Sequence, residues 1–313
     1  VKQKLLARLD DGLVRPGDRF LSARAIAMQF GVSYQTADRL LNQLVELGRL
    51  ERRAASGTFV AGMQTRYAGV QLVFDARARR AGSFGAAMVD RLTRSLRRTG
   101  VACRITYVQG PSRVAPDHYP IFWEADPGAA GAGLLLNDRP RSVQAAMNLD
   151  SITVDDRLGG ALAAELIARR VPARSRIAVL AGPADDRRSS DRVQGFVSVL
   201  AAQVRHSPTW YCADALPAAR TLSRTRPAGV FACNDRLAEA VIQACQELGE
   251  PLPVLFGFDD APIAEVLHLS TIAIPWQQLA ASVTAMVDRR LAGDRSPASH
   301  LTLTPKPILR LTS

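Results

Sequence analysis

The chain has 313 residues, 47% of them hydrophobic and 22% charged, which is enough for a small domain and a larger one. No apolar run is long enough to span a bilayer and nothing resembles a signal peptide, so the expectation is a cytoplasmic protein with no membrane partner. A net charge of +11 suits a polyanionic partner, but the arginines are spread over the whole chain and lysine is confined to Lys2, Lys4 and Lys306, the mark of a compositional bias rather than a mechanism.

Residues 1–13 have helical spacing, with Leu5, Leu6 and Leu9 on one face, and Arg15-Pro16-Gly17-Asp18 reads as a turn. Ser22 can cap a second helix whose apolar face is Ile26, Ala27 and Phe30 and which Gly31 ends. Ser33 sits where the cap of a third helix belongs. That helix carries Ala37, Leu40, Leu41, Leu44 and Leu47 at the three/four spacing of one buried face, and Gly48 stops it. Residues 49–53 and 58–60 then alternate like two short strands around a small-residue turn at 54–57. The polar face of the third helix shows Tyr34, Gln35, Asp38, Arg39 and Asn42. Side chains at the N-terminal end of such a helix can reach base edges in the major groove, and Arg49, Arg52 and Arg53 on the hairpin suit phosphate contact.

From Arg19 to Val60 the chain resembles the GntR-type winged helix-turn-helix nearly end to end. The resemblance implies that fold and double-stranded DNA binding. It places Ser22, Arg24, Ser33, Gln35, Thr36, Gly57 and Thr58 on the DNA side, with Tyr34, Arg39, Arg52, Arg53 and Ser56 beside them. Four departures keep the operator sequence from carrying over: Leu21 replaces the usual Pro and Ala23 the usual Glu, while Tyr34 and Asp38 stand where arginines are common. A winged helix that binds protein instead is the plainer alternative.

Residues 61–68 have no clear period, so the domains are set at 1–62 and 69–313, with a linker at 63–68. Beyond it, strand-like runs fall at 70–74, 103–108, 121–123, 134–136, 152–154, 177–180, 209–211, 230–233 and 254–258. Helical stretches fall at 86–97, 159–169, 192–202 and 237–248. Strands alternating with helices imply parallel sheets with helices on both faces, and two successive rounds imply two lobes. Ligands of such sheets sit at the carboxyl ends of strands, so a cleft between the lobes is the expected pocket.

Five pieces, taken together, resemble the effector domain of LacI-type repressors, itself similar to the periplasmic ribose-binding proteins. They are ITVDDRLGG (152–160), IAVLAG (177–182) followed by Arg192 to Phe196, VFACNDR (230–236), FGFDDAP (256–262) and STIAIPW (270–276). LTLTPKPILR near the end resembles the family's closing strand. The fold expected is therefore an N-terminal winged helix-turn-helix, mainly α with a β-hairpin wing, plus a C-terminal α/β two-lobed periplasmic-binding-protein-like (type I) domain. The first lobe departs from the family: there is no room for a helix between Val108 and Ile121, and only EADPGAAGAG between Trp123 and Leu134.

The resemblance also implies effector-binding residues. Arg192 matches an arginine that grips ligand from a helix start; the alternative is a surface pair with Asp191 or Asp185. Asp235 matches a carboxylate after a strand end; the alternative is a helix cap. Trp276 falls at the lobe crossover, where a flat ring can stack on ligand; the alternative is plain core. Asn137 and Asp138 form a polar pair after a strand, and Phe84 and Asp75 lie at the mouth of the first strand. Asp259 and Asp260 are expected to shape a turn. The four histidines show no ligand spacing, and Cys103, Cys212, Cys233 and Cys245 read as small hydrophobes, three of them in or beside strands. No metal or cofactor is expected. AGSFGAA at 81–87 lacks the GK[ST] of a phosphate loop.

These readings converge on a ligand-responsive transcription regulator, a repressor that is not an enzyme. It would bind a pseudo-palindromic operator as a homodimer and respond to a sugar more readily than to a nucleoside. Two alternatives stand beside it: a DNA-binding head fused to an enzyme-like domain, or an effector-independent regulator with a degenerate pocket. The first is disfavoured, since an aminotransferase-like domain needs a buried lysine and none lies between Lys4 and Lys306, and Ser83 sits in GSFG rather than G-x-S-x-G.

Overall fold

The computed structural model describes residues 1–10, 14, 17–46, 49–53, 56–60, 67–80, 82–110, 113–128, 130–294 and 296–313. The chain divides into two compact units, Val1–Arg66 and Tyr67–Ser313. The expected helix end at 11–13, the turn residues 15–16 and 54–55, the stop at 47–48 and most of the linker lie outside the described residues.

The first unit contains α1 (Lys2–Asp10), α2 (Ala23–Phe30), α3 (Tyr34–Glu46) and the hairpin β1 (Leu50–Arg53) and β2 (Gly57–Val60). Its helices begin and end where capping chemistry puts them. Ser22 Oγ accepts from the Ala25 amide at 3.1 Å, Gly31 takes φ 65° at the end of α2, and Ser33 Oγ accepts from the Thr36 amide at 3.1 Å. One core of Leu5, Phe20, Ile26, Ala37, Leu41, Leu44, Leu50 and Val60 joins all five elements. The hairpin pairs antiparallel, Leu50 with Val60 and Arg53 with Gly57, and the Phe20 amide ties it down through the Thr58 carbonyl at 2.8 Å.

In the second unit the elements run β3 (Gly69–Asp75), a 3-10 turn (Ala76–Arg79), α4 (Phe84–Arg98), β4 (Cys103–Val108), β5 (His118–Trp123), β6 (Gly133–Leu136), α5 (Val143–Asn148), β7 (Leu149–Val154) and α6 (Asp156–Ala168). Next come β8 (Ile177–Ala181), α7 (Arg187–Val197), β9 (Gln203–His206), α8 (Cys212–Ser223), β10 (Gly229–Ala232), α9 (Asp235–Leu248) and β11 (Val254–Asp259). The chain closes with α10 (Pro262–Val266), β12 (Ser270–Ala273), α11 (Trp276–Leu291), β13 (His300–Leu303) and β14 (Lys306–Ile308). The strands form two six-stranded sheets, ordered β13-β7-β6-β5-β3-β4 and β14-β12-β11-β10-β8-β9. All pairs are parallel except β14 with β12. The stretch expected to be one closing strand is two, one for each sheet. The chain thus crosses between lobes three times: from β7 into α6, from β12 into α11, and from β13 into β14.

Two assignments need correction. The helix expected at 192–202 is α7, which starts at Arg187 because Asp186 caps it, its Oδ1 accepting from the Arg188 amide at 2.9 Å; Arg192 is therefore mid-helix. The strand expected at 209–211 is a turn, and the ladder strand is β9 at 203–206. Thr209 and its aromatic neighbours have strand propensity, but local bonds win: Ser207 Oγ donates to the Thr209 carbonyl at 2.7 Å, and Thr209 Oγ1 accepts from the Tyr211 amide at 3.1 Å. Cys212 consequently opens α8, a helix that Pro217 in its interior hid from periodicity. In the second lobe α6 and α7 meet backbone to backbone: a Cβ on Gly160 would lie 2.0 Å from the Arg192 carbonyl oxygen, and one on Gly195 1.9 Å from that of Arg157. This contact is why glycine recurs in both motifs.

Candidate functional site

The carboxyl ends of both sheets face a cleft of about 440 Å³ between the two lobes. From the first lobe Arg77, Arg80, Phe84, Trp123, Glu124 and Asn137 line it. Across from them stand Arg188, Arg192, Trp210, Tyr211, Asn234 and Asp259. Two groups on the first wall are unsatisfied: Asn137 Oδ1 and Trp123 Nε1 are buried with no hydrogen-bond partner.

Arg192 reaches the cleft floor as the hub of a buried network. Its Nε donates to Asp156 at 2.7 Å and its Nη1 to the Cys233 carbonyl at 2.5 Å, while Nη2 lies 3.2 Å from Asp259 and the guanidinium sits 3.6 Å over Phe258. Burial works against its charge, but Asp156 and Asp259 outweigh that and raise its pKa. The surface pair weighed from sequence does not form: Asp191 instead faces Arg187 at 3.6 Å. Burial pushes Asp259 up to about 6 even though Arg192 opposes it. Asp259 does shape a turn, with φ 104°, yet it also lines the cleft, a role the sequence reading left out.

Asp235 is not the cap of α9. Asn234 is, its Oδ1 accepting from the Leu237 amide at 2.7 Å while its Nδ2 donates to the Trp210 carbonyl at 3.1 Å. Both Asp235 oxygens turn inward, one to the Ala261 amide and one to Thr271 Oγ1, each at 2.7 Å. Burial holds its pKa well above the usual carboxylate range, with Asp259 adding to the shift. Trp276 lies one layer behind the wall: its Nε1 donates to the Asp259 carbonyl at 3.1 Å and its ring packs 5.0 Å from Phe84. Asp75 caps the 3-10 turn and holds Arg77 at 2.8 Å; Asp138 turns to the Arg139 amide at 2.8 Å. Of the seven effector candidates the structure thus brings Arg192, Asp235, Asn137 and Phe84 to the cleft, and leaves Trp276, Asp75 and Asp138 off its wall.

Other groups tie the two walls together, and sequence reading missed them. Glu124 accepts from Arg188 at 2.6 Å and from Arg77 at 2.5 Å. Arg188 also grips Asp186 at 2.8 Å, and Trp210 Nε1 donates to the same carboxylate at 3.0 Å. Burial alone would raise Asp186, but these bonds bring it down to about 2. Arg236 donates to the Gly82 carbonyl at 3.0 Å, and Arg80 lies 4.7 Å over Tyr211. Arg236 and the cap Asn234 carried a signal, flanking Asp235 in a strand-to-helix motif.

The head presents a second surface. Tyr34 is 61% exposed at the start of α3, and Arg24, Ser33, Gln35, Arg39, Arg52, Arg53 and Ser56 are exposed with it. Ser22 and Ser33 are engaged as caps, Thr36 is half-buried, and Thr58 is buried in the hairpin. Gly57 takes φ 117° and leaves room for Arg19. Arg52 reaches Asp38 at 2.5 Å, and Arg53 bonds Glu51 at 2.6 Å and lies 4.4 Å over Phe59.

Residues 1–60 match the model of the bacterial regulatory proteins of the gntR family, and residues 163–313 match the periplasmic binding protein-like domain. The lactose operon repressor of Rhizobium radiobacter is 32% identical over 93 residues, covering 28% of this chain and 81% of that protein. The chain belongs to the bacterial regulators, with a gntR-type head and a LacI-type receptor domain. The ribose operon repressor of Haemophilus influenzae is 27% identical over 178 residues, 52% of this chain and 53% of the repressor. This regulator thus spans about half the length of the first two curated relatives it matches. A LacI family regulator from Enterococcus faecalis, solved with bound ribose, shares the fold: TM-score 0.66, 18% identity, covering 78% of this chain and 98% of that one. These relatives are transcription regulators and repressors. Among the described residues no helix is long and apolar enough to cross a membrane.

Proposed function

We propose that this regulator is a repressor that grips a pseudo-palindromic operator as a homodimer and responds to a small polar effector held between its lobes. A sugar is the first choice of effector and a nucleoside the second. The observation that carries this reading is the cleft: Arg77, Asn137, Arg188 and Asn234 stand in it amid the rings of Phe84, Trp123, Trp210 and Tyr211. A ring that bears hydroxyls can hydrogen-bond such polar groups while stacking on Trp210 or Phe84. Three lobe crossings act as the hinge, so ligand bound to both walls favours the closed arrangement. Operator and effector then influence each other reciprocally, typically by about 1–3 kcal/mol.

The test is a thermal-shift screen of the full chain against ribose, other pentoses and hexoses, and nucleosides, followed by DNA retention with each hit. A true effector at about 100 times its Kd stabilises by about 2.7 kcal/mol and changes retention of duplex DNA. The proposal is sunk if the chain retains no duplex DNA at low salt. One observation favours the effector-independent alternative: Glu124 of the first wall and Arg188 of the second bond directly to each other at 2.6 Å. DNA retention unmoved by every compound in the panel would choose that reading.

A further inference from the structure

Asp38 is at odds with its surroundings. It lies on the outer side of α3, with Tyr34 one turn before it and Asn42 one turn after, where the winged-helix pattern commonly has arginine. A bare carboxylate on a surface that meets a phosphate backbone is repelled by it. This carboxylate is not bare: Arg52 of β1 crosses from the wing to Oδ1 at 2.5 Å, and Asn42 Nδ2 approaches Oδ2 at 3.4 Å. The side chains of Asp38 and Arg52 stay 32% and 41% exposed, so the pair faces outward as a neutral unit with acceptor capacity left on Oδ2.

In the major groove that capacity has few partners. Guanine and thymine present O6 and O4, acceptors that repel a carboxylate. Adenine presents an amino donor beside the acceptor N7, while cytosine presents its N4 amino group without an adjacent acceptor. We propose that Asp38 determines operator specificity by accepting from a cytosine amino group, with Arg52 as the positioning residue that aims and neutralises the carboxylate. This rests on the reading that the head binds operator DNA. Selectivity comes from repulsion of guanine and thymine as much as from attraction of cytosine.

The experiment selects from a duplex pool randomised over about 20 base pairs, two half-sites' worth, using the full chain and its Asp38→Ala, Asp38→Asn and Arg52→Ala variants, and sequences the bound fraction. Wild type is expected to enrich cytosine at one position of each half-site. Asp38→Ala should lose that preference by about fivefold or more while keeping the others, and Asp38→Asn should move it towards adenine, the base an amide pairs with. Arg52→Ala should weaken binding and blur the same position. If Asp38 only buttresses the wing, Asp38→Ala will weaken binding uniformly and leave every base preference intact; that result overturns the inference and leaves the proposed function standing. A wild-type pool with no enriched sequence overturns both.

Discussion

The two lobes solve one packing problem differently. Each has a six-stranded, mainly parallel sheet whose central strands are buried on both faces. In the second lobe the cover comes from α6 packed on α7 and α8 packed on α9, with Phe196 of α7 stacked 5.2 Å from Phe231 of β10. In the first lobe α4 and α11 cover one face, over Leu72, Phe74, Ile121, Leu134 and Ile152. The other face, with Val73, Phe122, Leu135 and Leu149, is closed by Val108, Val114, Ala125, Ala130 and the short α5. Among the described residues no helix follows β4 or β5. The consequence reaches the cleft. The second lobe presents Arg188, Asn234 and Asp235 from the starts of α7 and α9, whereas the first presents Glu124 and Asn137 directly after β5 and β6, at φ 49° and 53°. After β5, with no helix described before β6, the chain turns at once at Glu124 through left-handed backbone; Asp259 after β11 also takes positive φ, so such turns mark strand ends in both walls.

The sharpest way to break this comparison is to overpack each lobe in turn. Gly195→Val pushes side-chain carbons into the Arg157 carbonyl, and neither backbone can yield without parting α6 from α7. The expected loss is about 3 kcal/mol, the upper end for overpacking, read as a lower urea midpoint. Ala130→Val lies on the loop-covered face of the first lobe, where a loop can move aside, and should cost less than about 1 kcal/mol. Equal losses would mean the loop-covered face is packed as tightly as the helical one.

What was legible in the sequence follows the same divide. Helix ends set by Ser22, Gly31 and Ser33 could be read because a single residue decides each one. The two-lobed architecture was readable from alternating strands and helices, and the missing helices from segments too short to hold them. The walls of the cleft were harder. Glu124 and Arg188 are far apart in sequence and meet only because β5 ends and α7 starts at the same cleft. Trp276 reads as a ligand platform by position, but its indole N–H is committed to the Asp259 carbonyl. Asp235 reads as a ligand carboxylate or a helix cap and is instead a clamp between the Ala261 amide after β11 and Thr271 of β12.

The second comparison is between two carboxylates of the second lobe, Asp259 on the cleft wall and Asp186 behind Arg188. Asp259 is raised to about 6 by burial, whereas Asp186, despite its burial, is lowered to about 2 by Arg188 and Trp210. Their linkage signs are opposite. Asp259 binds its proton more tightly folded than unfolded, so its contribution is full below about pH 4 and is lost as pH rises to about 6. Asp186 contributes fully above about pH 4, and that is lost as pH falls towards 2. Urea titrations of wild type and Asp259→Asn from pH 4 to 7 should show wild type losing about 2 kcal/mol relative to the variant. A constant difference across that range would mean Arg192 keeps Asp259 ionised throughout.

The smallest effect concerns the tie between the lobes. Glu124→Gln keeps the shape of the side chain and removes the charge that Arg188 and Arg77 share. Arg188 retains Asp186, so no buried cation is left alone, and both ends of the tie are partly exposed. The stability loss should therefore be about 1 kcal/mol, the net worth of a typical intramolecular hydrogen bond. The geometry should change more than the stability, because Glu124 is the carboxylate through which the first lobe holds Arg188. Two of the three tryptophans, Trp123 and Trp210, line the cleft, so opening exposes both to water and shifts the emission maximum to the red. An emission maximum identical to wild type, at low and at high salt, would show that Arg236 with the Gly82 carbonyl and Arg80 over Tyr211 hold the lobes without help from Glu124.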